Sequence, residues 1–160
     1  MKAEVYANEG EEKPCLEALE TAREQLGRHE ERVDCYTFVT ELVPSVYGAA
    51  KLLGYEGACY LRLKKPEQAQ YILAASQESS SHPHHQSLVN ADFALTLIQQ
   101  DAPQEACNFV IQALTSVQQT GSTRAFQRIL SVRQALHPWD SLPEVRELDE
   151  RIFLLTKEGM

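Results

Sequence analysis

The stretch Gly57-Ala58-Cys59-Tyr60-Leu61-Arg62-Leu63-Lys64-Lys65-Pro66-Glu67-Gln68-Ala69, with Leu73 and Ser76 beyond it, decides the fold. Shifted by 37 positions, Gly57 falls on Ala94, Tyr60 on Leu97, Pro66 on Pro103, Ala69 on Ala106, Leu73 on Val110 and Ser76 on Ala113. Three of those pairs are small residues on both sides, as two closely crossing helices require. In each copy a helical stripe ends in a short break and a proline opens the next helix, where its missing N–H costs nothing. The pattern is a helical hairpin used at least twice.

The same punctuation continues outward. Pro14, Pro66, Pro103 and Pro143 each open a stretch with apolar residues at helical spacing. After Pro14 the stripe is Cys15, Ala18, Leu19, Ala22 and Leu26, with Gly27 as the expected C-terminal stop. Further helices are expected over Ser45 to Leu63, His84 to Gln100 and Ser122 to Leu136. Gly48, Gly54 and Gly57 interrupt the first of these, and each glycine costs about 1 kcal/mol against alanine in a helix. Three in one helix point to close approach by a neighbour. Only Val33 to Val43 is ambiguous between helix and strand. Met1 to Glu12 shows no helical stripe, so the helix after Pro14 is expected to lack its hairpin partner.

Composition narrows the function classes. The chain has 160 residues, the usual size of one domain. At that length about 70% of the unfolded surface is buried, so no disulfide or metal staple is needed. Apolar residues are 43% and charged residues 24%, which argues against disorder. A net charge of −8 opposes nucleic acid as a direct partner. No apolar run approaches the roughly 20 residues of a membrane helix, and no signal region follows Met1. The cysteines at 15, 35, 59 and 107 form no C-x-x-C and sit among apolar neighbours. A reduced, cytoplasmic protein is expected.

Gly57, Tyr60, Ala69 and Leu73 resemble the signature of the tetratricopeptide repeat, a helix–turn–helix unit of 34 residues. Ala94, Leu97, Ala106 and Val110 repeat it with Leu for the aromatic, and Asn90 stands where the first copy has Leu53. The run from Gly57 to Ala69 and the ending Ala135-Leu136-His137-Pro138-Trp139-Asp140-Ser141-Leu142-Pro143-Glu144-Val145-Arg146-Glu147-Leu148-Asp149-Glu150-Arg151 are also similar to the C-terminal repeat region of bacterial Xre-type helix-turn-helix regulators. That resemblance implies a sensory or interaction module. No room for three basic DNA-binding helices precedes Pro14.

The candidate sites are few. His82, His84 and His85 could ligate a metal, but only Glu78 and Asp92 lie near enough in sequence to complete a site, and a polar inter-repeat loop is the expectation. No metal and no cofactor are expected. No nucleophile elbow, catalytic cysteine signature or phosphate loop is present, so the chain is read as no enzyme. From Pro66 to Thr123 there is no lysine or arginine; then Arg124, Arg128 and Arg133 follow on one helix, the first two a turn apart. The resemblance implies that basic residues on the first helix of each hairpin line a peptide groove. The alternative is that these arginines pair with Glu144, Glu147 and Glu150. The partner-binding set is Lys51, Arg62, Gln99, Arg124 and Arg128. Trp139 is expected to plug the last hairpin.

The expected fold is all-α, a single domain over 1–160: an antiparallel helical-hairpin array, a tetratricopeptide-like α-solenoid of about seven or eight helices. Its parts are an N-terminal extension (1–12), an incomplete first unit (14–43), central repeats (45–80 and 84–120) and a C-terminal hairpin (122–157). The expected function is a non-catalytic scaffold binding a protein or peptide. The alternative is the ligand-responsive domain of a transcriptional regulator that works with a separate DNA-binding domain. An uncovered half-repeat would favour a homodimer.

Overall fold

The structure, a computed structural model, describes residues 2–30 and 38–157; side chains at 28–30 and 38–47 are not described. Cys35 and residues 33–37 of the ambiguous segment lie outside the described residues, and 38–43 are helical. The described residues are all-helical: α1 (Lys2–Glu9), α2 (Glu12–Glu30), α3 (Phe38–Arg62), α4 (Pro66–Glu78), α5 (Pro83–Gln99), α6 (Pro103–Thr120), α7 (Thr123–Ala135) and α8 (Pro143–Lys157). A 3-10 turn, His137–Trp139, joins the last two. No described helix is long and apolar enough to cross a membrane. The chain divides into two compact units, 1–80 and 81–160.

In the first unit α1 packs on α2, α3 packs on both, and α4 folds back on α3. In the second, α6 folds back on α5, α7 packs on both, and α8 packs on α6. The hairpins α1–α2, α3–α4 and α5–α6 are thus paired, and within each unit the first helices α1 and α3, or α5 and α7, are in contact.

The 37-residue shift is also a repeat of backbone geometry. The only non-glycine residues with positive φ among the described ones are Lys64 (59°) and Asp101 (61°), which are 37 positions apart. After Lys64 turns, the Lys65 N–H donates to Tyr60 O (3.0 Å) and the Ala69 N–H to Lys65 O (3.0 Å). After Asp101, Ala102 donates to Leu97 O (2.9 Å) and Ala106 to Ala102 O (3.1 Å). The left-handed residue closes one helix and satisfies its last carbonyls while the next helix begins. Gly57, Ala69, Leu73 and Ser76 are buried in the first copy, as are Ala94, Ala106, Val110 and Ala113 in the second.

The N-terminus corrects the expectation of an extension without helix. Gly10, at φ 77°, repeats the turn. Glu11 donates to Tyr6 O (2.8 Å) and Cys15 to Glu11 O (3.1 Å). By this register Ala3, Tyr6, Cys15 and Leu19 stand where Gly57, Tyr60, Ala69 and Leu73 stand in the next hairpin. The first hairpin has both helices. Ala3, Ala7, Cys15, Leu19 and Cys59 form one buried cluster, with Tyr6, Leu16, Ala18 and Leu63 against it. The apolar face of α2 is thus covered by α1 and α3, and the argument for self-association through that face no longer holds.

Two helix boundaries also differ from expectation. The second helix starts at Glu12, with Pro14 inside its first turn, where an N–H would have no intrahelical partner anyway. It then runs through Gly27 to Glu30. Gly27 does not take the positive φ that would end a helix there.

Candidate functional site

The sequence-derived set is divided between the two units, Lys51 and Arg62 in the first and Gln99, Arg124 and Arg128 in the second. In the first unit Lys51 is exposed on α3. Arg62 lies eleven residues on, about 16 Å along a helix axis. The Arg62 Nη1 donates to Ala58 O (3.2 Å), and its Nη2 lies 3.7 Å from Glu4 Oε1. The guanidinium therefore ties α3 to α1. In the second unit Gln99 is the last residue of α5, while Arg124 is exposed in the first turn of α7. Arg128 donates from Nε to Asp92 Oδ1 on α5 (2.5 Å). The pair is largely buried, so this charge is neutralised within the unit.

The acidic partners differ from those expected on α8. Arg133 reaches Asp140 from Nη1 and Asp149 from Nη2, both at 2.8 Å, and these contacts hold the guanidinium firmly protonated. Glu147 takes Arg151 of its own helix (2.7 Å). Asp149 sits next to the buried Leu148 and so flanks the packed face of α8.

The histidine run does not converge either. His82 precedes α5, Pro83 is its first residue, and His85 is buried. No group of three or more His, Cys, Asp or Glu that could hold a metal occurs among the described residues.

What the structure does build is a cleft between α3 and α4 in the first unit. Tyr60, Glu67, Gln68, Tyr71 and Ile72 line about 320 Å³ of open space. Tyr71 is 76% exposed, although the stripe of α4 buries Ala69, Leu73 and Ser76 beside it. Burial, with Glu56 adding to it, pushes the Tyr60 hydroxyl above its ordinary range, so Tyr60 presents a neutral phenol. Glu67 is the charged lining residue. Lys65, next to Pro66, has its ammonium on Glu12. Sequence reading missed this cleft because Tyr71 interrupts no stripe; its signal was a large aromatic on the solvent side of an amphipathic helix.

Behind the cleft, on the same helix, Glu56 is only 2% exposed. It accepts a charge-assisted hydrogen bond from Arg23 of α2, and Arg23 also reaches Glu20 (3.2 Å). Its second oxygen, Oε2, is buried without a hydrogen-bond partner.

One turn along α3 the Cys59 thiol lies in the same buried cluster as Cys15. Burial, and then the neighbouring Cys15, push the Cys59 thiol up to about 12. Arg62 opposes that rise, and Glu4 adds to it. A thiol raised on folding contributes stability that is complete below its unfolded value near 9.0 and is lost as pH rises toward the folded value. Wild type should therefore lose stability more steeply than Cys59→Ala between about pH 9 and 10.5. Urea midpoints across that range measure it, and parallel slopes would refute the assignment.

No family model matches the sequence, and no match is found among curated proteins or solved structures.

Proposed function

We propose that the chain is a non-catalytic, tetratricopeptide-like scaffold that binds an extended segment of another protein, and that the α3–α4 cleft holds the segment's anchoring side chain. The observation that carries this is the cleft itself, with Tyr71 exposed to 76% on α4. A tyrosine offers large contact area at small entropic cost and is enriched where binding energy concentrates. Glu67 and the net charge of −8 favour a segment with a lysine or arginine beside an apolar anchor. This differs from the acidic ligand that the arginine set implied, since Arg62 and Arg128 already have carboxylate partners. The thrice-used turn and the contacts between first helices support the repeat reading. The free thiols Cys15, Cys59 and Cys107 suit a reducing compartment, and we place the protein in the cytoplasm.

Selection of random peptides on the immobilised full-length chain, followed by calorimetry, tests the proposal. Enriched peptides should carry a basic residue next to an apolar one. Tyr71→Ser should weaken them about tenfold or more, equivalent to about 1.4 kcal/mol, and Arg124→Ala should change little. Failure to enrich any sequence, or peptides indifferent to Tyr71→Ser, would remove the cleft as the binding site.

A further inference from the structure

Cys15 and Cys59 approach from different helices, α2 and α3, and both are completely buried. Both are free thiols, and both belong to one buried cluster with Ala3, Ala7 and Leu19. Cys15 occupies the position at which the next two hairpins have Ala69 and Ala106, where the paired helices cross most closely. Two thiols packed into one buried cluster from different helices are candidates for a bond, provided an oxidant can reach them.

The cluster is completed by α1. This eight-residue helix lays Ala3 and Ala7 into the same buried cluster as the two cysteines. A helix this short is not stable alone, because the cost of nucleation is spread over too few hydrogen bonds. Its attachments include the Gly10 turn, the small apolar contacts, Tyr6 and the Glu4–Arg62 ion pair at 3.7 Å. Such a segment opens locally at lower free energy than the whole unit unfolds.

We propose that Cys15 and Cys59 are an oxidisable pair, closed to a disulfide by small-molecule disulfides such as glutathione disulfide, with α1 as the element that controls access. When α1 lifts, one thiol loses its proton to solvent and its thiolate attacks a glutathione sulfur, forming a mixed disulfide and releasing one glutathione thiolate. The second cysteine, likewise deprotonated, then attacks the protein sulfur of that mixed disulfide and releases the second glutathione thiolate. The two protons lost reprotonate the two leaving thiolates. The protein gives up two electrons and two protons, and one glutathione disulfide becomes two glutathiones. The product bolts α2 to the helix that carries Tyr60 and Glu56. With α1 closed, burial keeps both thiols protonated and out of contact with the oxidant, so the pair persists reduced.

The test uses the full-length reduced chain incubated with glutathione disulfide near about pH 8, alkylated, and digested with trypsin without reductant. Peptides 3–23 and 52–62, which carry Cys15 and Cys59, should be recovered joined, two hydrogens lighter than their sum, and dithiothreitol should separate them. Glu4→Gln should speed joining roughly two- to fivefold, the factor expected when a partly exposed ion pair is lost. Glutathione adducts on either cysteine without the cross-link, or cross-links of either to Cys35 or Cys107, would overturn the pairing. Equal rates in Glu4→Gln and wild type would overturn the role of α1.

Discussion

Gly57→Ala destabilises the protein even though alanine is the better helix former. A methyl group at position 57 would lie 2.5 Å from both Cγ and Cδ2 of Leu73. Leu73 is completely buried on α4, and Cγ is the branch point of its side chain, so neither atom can swing aside cheaply. Overpacking of this kind costs roughly 1–3 kcal/mol, and the helical preference for alanine returns about 1 kcal/mol of it. Leu73→Ala alone should cost about 2–5 kcal/mol through lost burial and the cavity left behind. The double variant Gly57→Ala/Leu73→Ala should cost clearly less than the two single losses together, because the new methyl fills part of the vacated space. Urea denaturation of the four proteins measures this cycle. Additivity to within about 0.5 kcal/mol would mean that the two positions do not touch.

Arg23→Ala is the second large effect, and its contrast with changes at Glu56 is the sharper test. Breaking a buried ion pair from one side costs about 3–5 kcal/mol, since the remaining charge is stranded. Arg23 is itself about half exposed, so the lower end, about 3 kcal/mol, is expected. Glu56, by contrast, is sealed at 2% exposure with Oε2 lacking a hydrogen-bond partner. Replacing it by Leu or Met removes the stranded oxygen together with the charge and should cost little or even stabilise. Guanidinium is a poor denaturant for this comparison because its salt screens the pair; urea midpoints are the measurement. Equal losses at both positions would mean that the carboxylate contributes a contact beyond Arg23.

The two hairpins at the centre of the chain were legible because several signals coincide there. Gly57, Tyr60, Ala69 and Leu73 recur as Ala94, Leu97, Ala106 and Val110, and a proline opens the second helix of each pair. The same signature was present at Ala3, Tyr6, Cys15 and Leu19 with the same spacing, and it was overlooked. There cysteine takes the place of the small alanine, Gly10 takes the left-handed position, and Pro14 enters the helix as its third residue rather than its first. An eight-residue helix with a weak stripe reads as polar chain until its partner surface is known.

The candidate partner-binding residues were less legible because charge along a sequence does not say which charges meet. Arg124 and Arg128 share a helical face by spacing alone, yet Arg128 finds Asp92, 36 residues earlier on α5, while Arg124 stays exposed. Arg62, read from the sequence as a groove cation, lies 3.7 Å from Glu4 of α1. Tyr71 gave no periodic signal at all, and only the approach of Tyr60 from α3 turns it into the wall of a cleft.

By itself the sequence determined the helices, their pairing into hairpins and the small residues at the crossings, because those follow from periodicity, turn chemistry and volume within about forty neighbouring residues. The tertiary structure decided which helix covers α2, which carboxylate each arginine meets, and that Cys15 faces Cys59. Those outcomes depend on contacts between residues distant in the chain, and such contacts leave no periodic trace in the order of the amino acids.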